Sequence, residues 1–118
     1  MSSEYEKIAG AARGAFYGVF GVPISYSQEE VTISGITAVS FDPAARADFL
    51  EMAGLWAGFM DFQIKTVDLE GLEPARGDSI ALSGGEVYRV LSPEGVPVWT
   101  YSDPEGKEIV VHTKLVEK

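Results

Sequence analysis

The second half of the chain consists of short runs that alternate apolar and polar residues and are separated by tight turns. Residues 79–82 form one run, Gly84-Gly85 follows, and residues 87–90 form the next. Successive side chains of an extended chain point to opposite faces, so each run predicts a strand with one apolar face. A Gly-Gly pair between two such runs is typical of a hairpin. The pattern therefore predicts a small curled sheet of antiparallel strands.

The region before these runs also indicates strands. Residues 22–26 and 31–33 predict a first hairpin with a polar turn between its arms. The second arm continues through Gly35, where a glycine favours a bulge or bend, to Phe41. Asp42 precedes a proline, and this pair is expected to end the strand.

Three further runs complete a set of about seven strands. They are residues 62–67, which predict a central strand, residues 96–101 and residues 109–115. Trp99 and Tyr101 are expected to be core aromatics. The side chains expected to face inward from the last strand are Ile109, Val111, Thr113 and Leu115. The predicted fold is mainly β, a small β-barrel or sandwich of about seven antiparallel strands with a short N-terminal helix.

The N-terminal segment, residues 1–21, is predicted to be helical and distinct from a single β domain at residues 22–118. Ser3 and Glu6 have the spacing of a capping box. An apolar stripe recurs every four residues at Ile8, Ala12, Phe16 and Phe20. Three glycines recur at the same spacing on another side, and each weakens a helix by about 1 kcal/mol relative to alanine. Either the stripe packs on the β domain, or the segment becomes ordered when a partner chain covers it.

Residues 44–60 contain more large apolar side chains than a simple connection needs. These are Phe49, Leu50, Met52, Leu55, Trp56, Phe59 and Met60. Their spacing favours a short helix that begins at Asp42-Pro43, although extended alternation is also open. Either these side chains cap the core, or several of them stay exposed until a partner covers them. On the second interpretation, the partner contacts are Phe49, Met52, Leu55, Trp56 and Phe59, together with the N-terminal stripe.

The charge and composition of the chain exclude several functions. Aspartate and glutamate outnumber lysine and arginine 18 to 9, which gives a formal net charge of −9. Such a protein is repelled by phosphate backbones, so we expect no direct nucleic-acid recognition. The chain has no cysteine and therefore no disulfide or thiolate metal site, which is compatible with a reducing cytosol. No apolar run reaches the ~20 residues that span a bilayer, so we expect a soluble protein without membrane partners.

The titratable residues do not form a recognisable catalytic motif. His112 is the only histidine, and its outward position in the last strand predicts a solvated surface imidazole. The carboxylates lie mainly in predicted turns, where they promote solubility. Arg76-Gly77-Asp78 is explained as a turn followed by a strand, with Gly77 as the turn residue and Asp78 as the strand opener. We therefore predict no catalytic residue, no cofactor and no metal site.

Three parts of the sequence resemble a known family. The first is the strand that ends in Phe41-Asp42, and the second is the strand at residues 62–69. The third opens with Arg76-Gly77-Asp78 and runs through the turn at Gly84-Gly85 into residues 86–90. Their order and spacing resemble the phage head-tail joining proteins, the family of the lambda head-completion protein that attaches the tail. The resemblance covers residues 22–115.

This resemblance implies a non-enzymatic structural protein of a phage or prophage. Such a protein would join the DNA-filled head, at its portal or connector, to the tail during virion assembly. Its partners would be portal or head-connector proteins and tail-end proteins, and it would change from a free monomer to a ring on assembly. It would lie at the head-tail junction of the virion, after assembly in the bacterial host cytoplasm. The resemblance also implies a mobile N-terminal segment and a protruding loop, here residues 44–60, which are bulkier than the family's loop.

Two other classes remain open from the residues alone. One is a small β-barrel binding module for a peptide or nucleic-acid partner outside any virion. The other is an enzyme with a two-carboxylate site. Neither has a motif of its own in this sequence.

Overall fold

A computed structural model describes residues 17–43 and 54–117. The strands are β1 Val22–Gln28, β2 Val31–Phe41, β3 Phe59–Lys65, β4 Ser79–Leu82, β5 Val87–Val90, β6 Trp99–Tyr101 and β7 Glu108–Glu117. Residues 17–20 are helical and precede β1, and a 3₁₀ helix, Thr66–Leu69, follows β3. The predicted seven-stranded, mainly β fold is confirmed.

The strands close into a barrel because β7 pairs along both of its edges. The sheet order is β3-β2-β1-β4-β5-β7-β6, and β7 pairs with β3 as well. One edge of β7 pairs with β3 through residues 108–114. The other edge pairs first with β6, at residues 109–111, and then with β5, at residues 113–117. Six strands therefore form a closed antiparallel barrel, which removes the exposed edges of an open sheet.

Alternate side chains of the strands fill the barrel. The buried hydrophobic cluster contains Ile24, Tyr26, Ile36, Ala38, Phe62, Ile64, Leu69, Ile80, Val90, Ile109 and Val111. Thr113 is buried with them, which confirms three of the four inward positions predicted for the last strand. The prediction for Leu115 is wrong, because this residue is exposed. The pairing of β7 with β3 ends at Lys114, so Leu115 extends beyond the strand that covers the preceding positions.

The predicted bulge and turns are confirmed by the strand register. Ile24 pairs with Ile36 and Tyr26 with Ile33, so Ser34 and Gly35 together lie opposite one residue of β1. Gly35 has a φ of +76°, a conformation that glycine adopts without the strain of a side chain. The Gly84-Gly85 hairpin between β4 and β5 is likewise present, as is the hairpin at residues 103–106.

The central strand is displaced from its predicted position. β3 begins at Phe59 and ends at Lys65, whereas the prediction was 62–67. The chain leaves the strand at Thr66, whose N–H donates to Lys107 O at 2.9 Å and whose hydroxyl donates to Gly106 O at 3.0 Å. These bonds direct the chain into the 3₁₀ helix instead of an extended continuation.

β6 is shorter than the predicted strand at residues 96–101. The Val96 N–H donates to Pro93 O in a turn, and Pro97 has no N–H for a strand ladder. Trp99 packs half-buried against the core, as expected. The prediction of a core aromatic is wrong for Tyr101, which is 56% exposed on β6.

Candidate functional site

The outward side of β3 is covered, which is unusual for the outside of a small barrel. Phe62 and Ile64 point into the core, yet Phe59 and Asp61 on the opposite side are also buried. Antiparallel strands commonly have one face against the core and one face in water. We call the outward side of β3, with the segments that pack on it, the β3 face. Two chain segments, 17–20 and 54–58, contact it.

The segment 54–58 reaches the β3 face through Trp56. The Trp56 ring lies 4.6 Å from the His112 ring and 5.5 Å from the Phe59 ring, measured between centroids. His112 Nδ1 and Asp61 Oδ1 are 2.7 Å apart, within hydrogen-bond distance. The two side chains come from adjacent strands, since Asp61 pairs with His112 across β3 and β7. This cluster fixes the start of β3 to the segment before it.

The position of His112 corrects its predicted environment. The imidazole points outward, as its place in the strand requires, but its side chain is only 12% exposed. Trp56 and the carboxylate of Asp61 take the place of the water that a surface histidine would contact. The prediction of a solvated imidazole is therefore wrong. A histidine held by one carboxylate and one indole has a structural explanation.

The segment 17–20 reaches the β3 face through Tyr17. Tyr17 is buried, and the Lys65 ammonium lies 4.7 Å from the centre of its ring, a cation–π geometry. Gly21 then brings the chain close to β2, where a β-carbon would come within 2.3 Å of the Thr37 methyl group. Glycine is required at this approach. Tyr17 and Trp56 thus attach their segments to the two ends of β3.

Each attached segment also presents apolar side chains to solvent. Val19 is 74% exposed and Phe20 is 61% exposed, two and three residues after the buried Tyr17. Leu55 is 51% exposed, directly before Trp56. These exposed apolar side chains lie in the two segments that the sequence predicts to face a partner.

The residues predicted as partner contacts fall into three groups. Phe20 and Leu55 are exposed, while Trp56 and Phe59 pack on the β3 face. The remaining five lie outside the described residues and stay predictions: Ile8, Ala12, Phe16, Phe49 and Met52. The division of the chain into 1–21 and 22–118 also remains a prediction.

The residues of the sequence signature have structural roles at the barrel rim. Phe41 ends β2 and Asp42 follows it at the surface. Arg76 Nη2 donates to Ser92 Oγ at 3.3 Å, which links the loop before β4 to the loop after β5. Gly77 lies in the turn that precedes β4, and its N–H donates to Val90 O at 2.9 Å.

Asp78 is the buried acceptor of this signature. Its Oδ2 accepts from the Tyr26 hydroxyl at 2.6 Å, from Gln28 Nε2 at 2.9 Å and from the Ala75 N–H at 2.8 Å. Burial, together with the hydrogen bond to this carboxylate, raises the pKa of Tyr26 well above its usual value. The carboxylate therefore ties β1 to the loop before β4. A cell-adhesion role would need an exposed Asp78, and this one is buried.

Neither buried polar pair is predicted by the sequence. Asp61 and His112 are separated by 51 residues, and Tyr26 and Asp78 by 52. Neither pair has a local spacing that marks it. The one signal is the alternation of side chains along each strand. It places His112 and Asp61 on outward positions, and they become neighbours once the pairing of β3 with β7 is known.

Neither a metal-binding cluster nor a membrane-spanning helix occurs among residues 17–43 and 54–117. No group of three or more histidine, aspartate or glutamate side chains within residues 17–43 and 54–117 is arranged to hold a metal ion. None of the helical residues that the structure describes belongs to a segment with the length and hydropathy of a membrane span.

These features define the class: a small, closed antiparallel β-barrel whose buried polar pairs hold strands and loops together and whose outer face holds two attached segments. Comparison with known proteins then gives the family. A family model described as phage head-tail joining protein matches residues 9–118, so this chain belongs to the phage head-tail joining proteins. The family is structural and implies a virion component. A search of curated proteins gave no significant match.

Proposed function

We propose that this protein joins the DNA-filled head to the tail during virion assembly, as a non-enzymatic adaptor between portal or head-connector proteins and tail-end proteins. The observation that carries the proposal is the family match, which spans all but the first eight residues of the chain. The buried pairs support the non-enzymatic part, because Asp61, His112, Tyr26 and Asp78 are all explained by contacts within the fold.

The β3 face is the proposed contact surface. Two regions, residues 1–21 and 44–60, are predicted from the sequence to face a partner. Segments 17–20 and 54–58 belong to these regions and contact the β3 face. Both attach to one strand, so a partner that contacts Phe20 and Leu55 would be positioned by a rigid part of the barrel. Apolar side chains that are already exposed cost little to desolvate, and their burial contributes about 25 cal/mol per Å² of apolar area.

The proposed sequence of events is conditional association. A net charge of −9 makes free copies repel each other, which favours a monomer in the host cytoplasm. A portal or connector would supply a preformed platform on which copies assemble side by side into a ring. Ordering of partner-facing segments at that stage would link affinity to the stage of assembly.

Phe20→Ala and Leu55→Ala test the contact surface. Both side chains are more than half exposed, so their loss should leave the melting temperature within about 2 °C of the wild type. In a complementation assay for a head-tail joining defect, electron microscopy should show separate heads and tails for the double variant. Thr100→Ala is the matched control, since Thr100 is exposed on β6, a strand that pairs with β7 and not with β3.

The composition of the separated heads distinguishes the two partners. Heads that retain the variant protein but lack tails place the contact on the tail side, and heads without the protein place it on the head side. Trp56→Ala should impair joining and also lower the melting temperature, because Trp56 covers His112. Full joining by a folded Phe20→Ala/Leu55→Ala protein would refute the contact surface. Full infectivity without the protein would refute the function.

A further inference from the structure

A groove lies at the end of β3 remote from Trp56. β3 has seven residues and spans about 20 Å, so the groove is distant from the segment 54–58. It has a volume of about 300 Å³. The lining residues are Thr66, Leu69, Leu72, Pro74, Trp99, Tyr101 and Ile109, with Gly71 and Glu73. The lining is thus mainly apolar and aromatic.

Both walls of the groove are held in place by the barrel. On one side, Gln28 Nε2 donates to Glu73 O at 2.8 Å and also to Asp78, which fixes the loop that follows the 3₁₀ helix. On the other side, the rings of Trp99 and Tyr101 meet edge to face with centroids 5.0 Å apart. A preformed groove loses little conformational entropy when a ligand binds.

The surroundings of the groove are strongly acidic. The two loops at this end, residues 66–74 and 102–107, contain the carboxylates Asp68, Glu70, Glu73, Asp103 and Glu105. Lys107 is the one basic residue of these two loops, and it pairs with Glu105 at 3.2 Å. The resulting negative potential attracts cationic groups and repels phosphates. Charge complementarity therefore selects a basic protein segment as the occupant.

We propose that this groove binds an extended lysine- or arginine-rich segment of a partner protein through an apolar side chain that inserts between Tyr101 and Leu72. A volume of 300 Å³ is at the low end of the range for ligand pockets and suits one or two side chains. The flanking cationic side chains would lie against Glu73 and Glu70, and one of them could stack on the exposed ring of Tyr101. The groove shares no lining residue with the β3 face, so the inference does not depend on the proposed joining function.

The experiment uses fluorescein-labelled nine-residue peptides and the full chain, with fluorescence anisotropy as the readout. A peptide of alternating lysine and leucine should bind, while one of alternating glutamate and leucine should not. Tyr101→Ala and Glu73→Lys should each weaken binding about tenfold. Binding should also weaken as NaCl rises from 0.05 to 0.5 M, because exposed charges are screened.

Glu117→Lys is the matched charge control. It makes the same charge change as Glu73→Lys, but Glu117 lies at the end of β7 opposite to Ile109, which lines the groove. Binding by this variant should therefore stay within about twofold of that by the wild type. A second control peptide of alternating lysine and serine should bind at least tenfold more weakly than the lysine–leucine peptide. Thermal melting checks that Tyr101→Ala is folded, as expected for a mostly exposed side chain.

Three results would overturn the proposal. The first is equal weakening by Glu73→Lys and Glu117→Lys, which would show attraction to overall charge alone. The second is equal binding of the lysine–serine and lysine–leucine peptides, which would show that the apolar groove is not used. The third is the absence of binding by the wild type at 1 mM peptide.

Discussion

Replacement of Asp78 tests how much of the barrel's stability depends on one buried carboxylate. Asp78 is buried, and its Oδ2 accepts three hydrogen bonds from β1 and from the loop before β4. Alanine at this position removes the acceptor but leaves the donors. The consequence is largest for Tyr26, whose side chain is fully buried and has no water to replace the lost partner.

The expected loss of stability follows from these contacts. An unsatisfied buried hydroxyl costs about 1–3 kcal/mol, and a hydrogen bond to a charged group contributes about 1.5–3 kcal/mol. The donors from Gln28 and Ala75 are less buried and regain part of this energy from water. We expect Asp78→Ala to lower the free energy of unfolding by about 3 kcal/mol, or the melting temperature by about 10 °C. Asp78→Asn keeps a neutral acceptor and should cost about 1 kcal/mol.

Urea unfolding of four proteins measures the contribution: wild type, Asp78→Ala, Tyr26→Phe and the double variant. Removal of both partners should cost less than the sum of the single changes, by about 1–2 kcal/mol, because no buried donor is then left without an acceptor. Additive losses would refute the reasoning, since they would mean that the two groups do not interact. An Asp78→Ala protein as stable as Asp78→Asn would refute it as well.

Three other predictions concern stability. The pKa of Tyr26 in the folded protein is raised above its usual value of about 10, so its neutral hydroxyl contributes fully to stability below pH 10 and less as the pH rises. Between pH 9 and 11, the free energy of unfolding measured in urea should therefore fall by about 1.4 kcal/mol more for the wild type than for Tyr26→Phe. Equal losses would contradict this. Gly21→Ala should lower the melting temperature by several degrees, because the new methyl group overlaps Thr37, and an unchanged melting curve would disprove the close approach. Asp61→Ala should cost about 2 kcal/mol in urea unfolding, because the mostly buried His112 loses its partner, whereas Asp61→Asn should cost less. Equal costs would show that the hydrogen bond is unimportant.

Much of the fold is a local property of the sequence. Alternation of apolar residues marks the strands, and Gly35 and Gly84-Gly85 mark a bulge and a turn, because each of these signals depends only on neighbouring residues. The same signals, in their order along the chain, were sufficient for the family resemblance that the match over residues 9–118 confirms.

The errors occur where a distant segment decides the environment. Tyr101 and Leu115 follow the same alternation as core residues of their strands, yet both are exposed: Tyr101 lies on β6, which pairs only with β7, and Leu115 lies beyond the end of the pairing with β3. His112 has outward parity, yet Trp56 and Asp61 enclose it from positions at least 51 residues away in the chain. Alternation along a strand gives the direction of a side chain, whereas the pairing of strands determines which residues that side chain contacts.

This chain forms about seven antiparallel strands joined by tight turns because neighbouring residues set its backbone conformation and side-chain directions. Three features depend instead on the whole folded chain: the sheet closes between β3 and β7, Asp78 is a buried acceptor, and the segments at Tyr17 and Trp56 attach to the same strand. Burial and hydrogen-bond partners require contacts between residues far apart in the chain, and closure of the barrel creates those contacts.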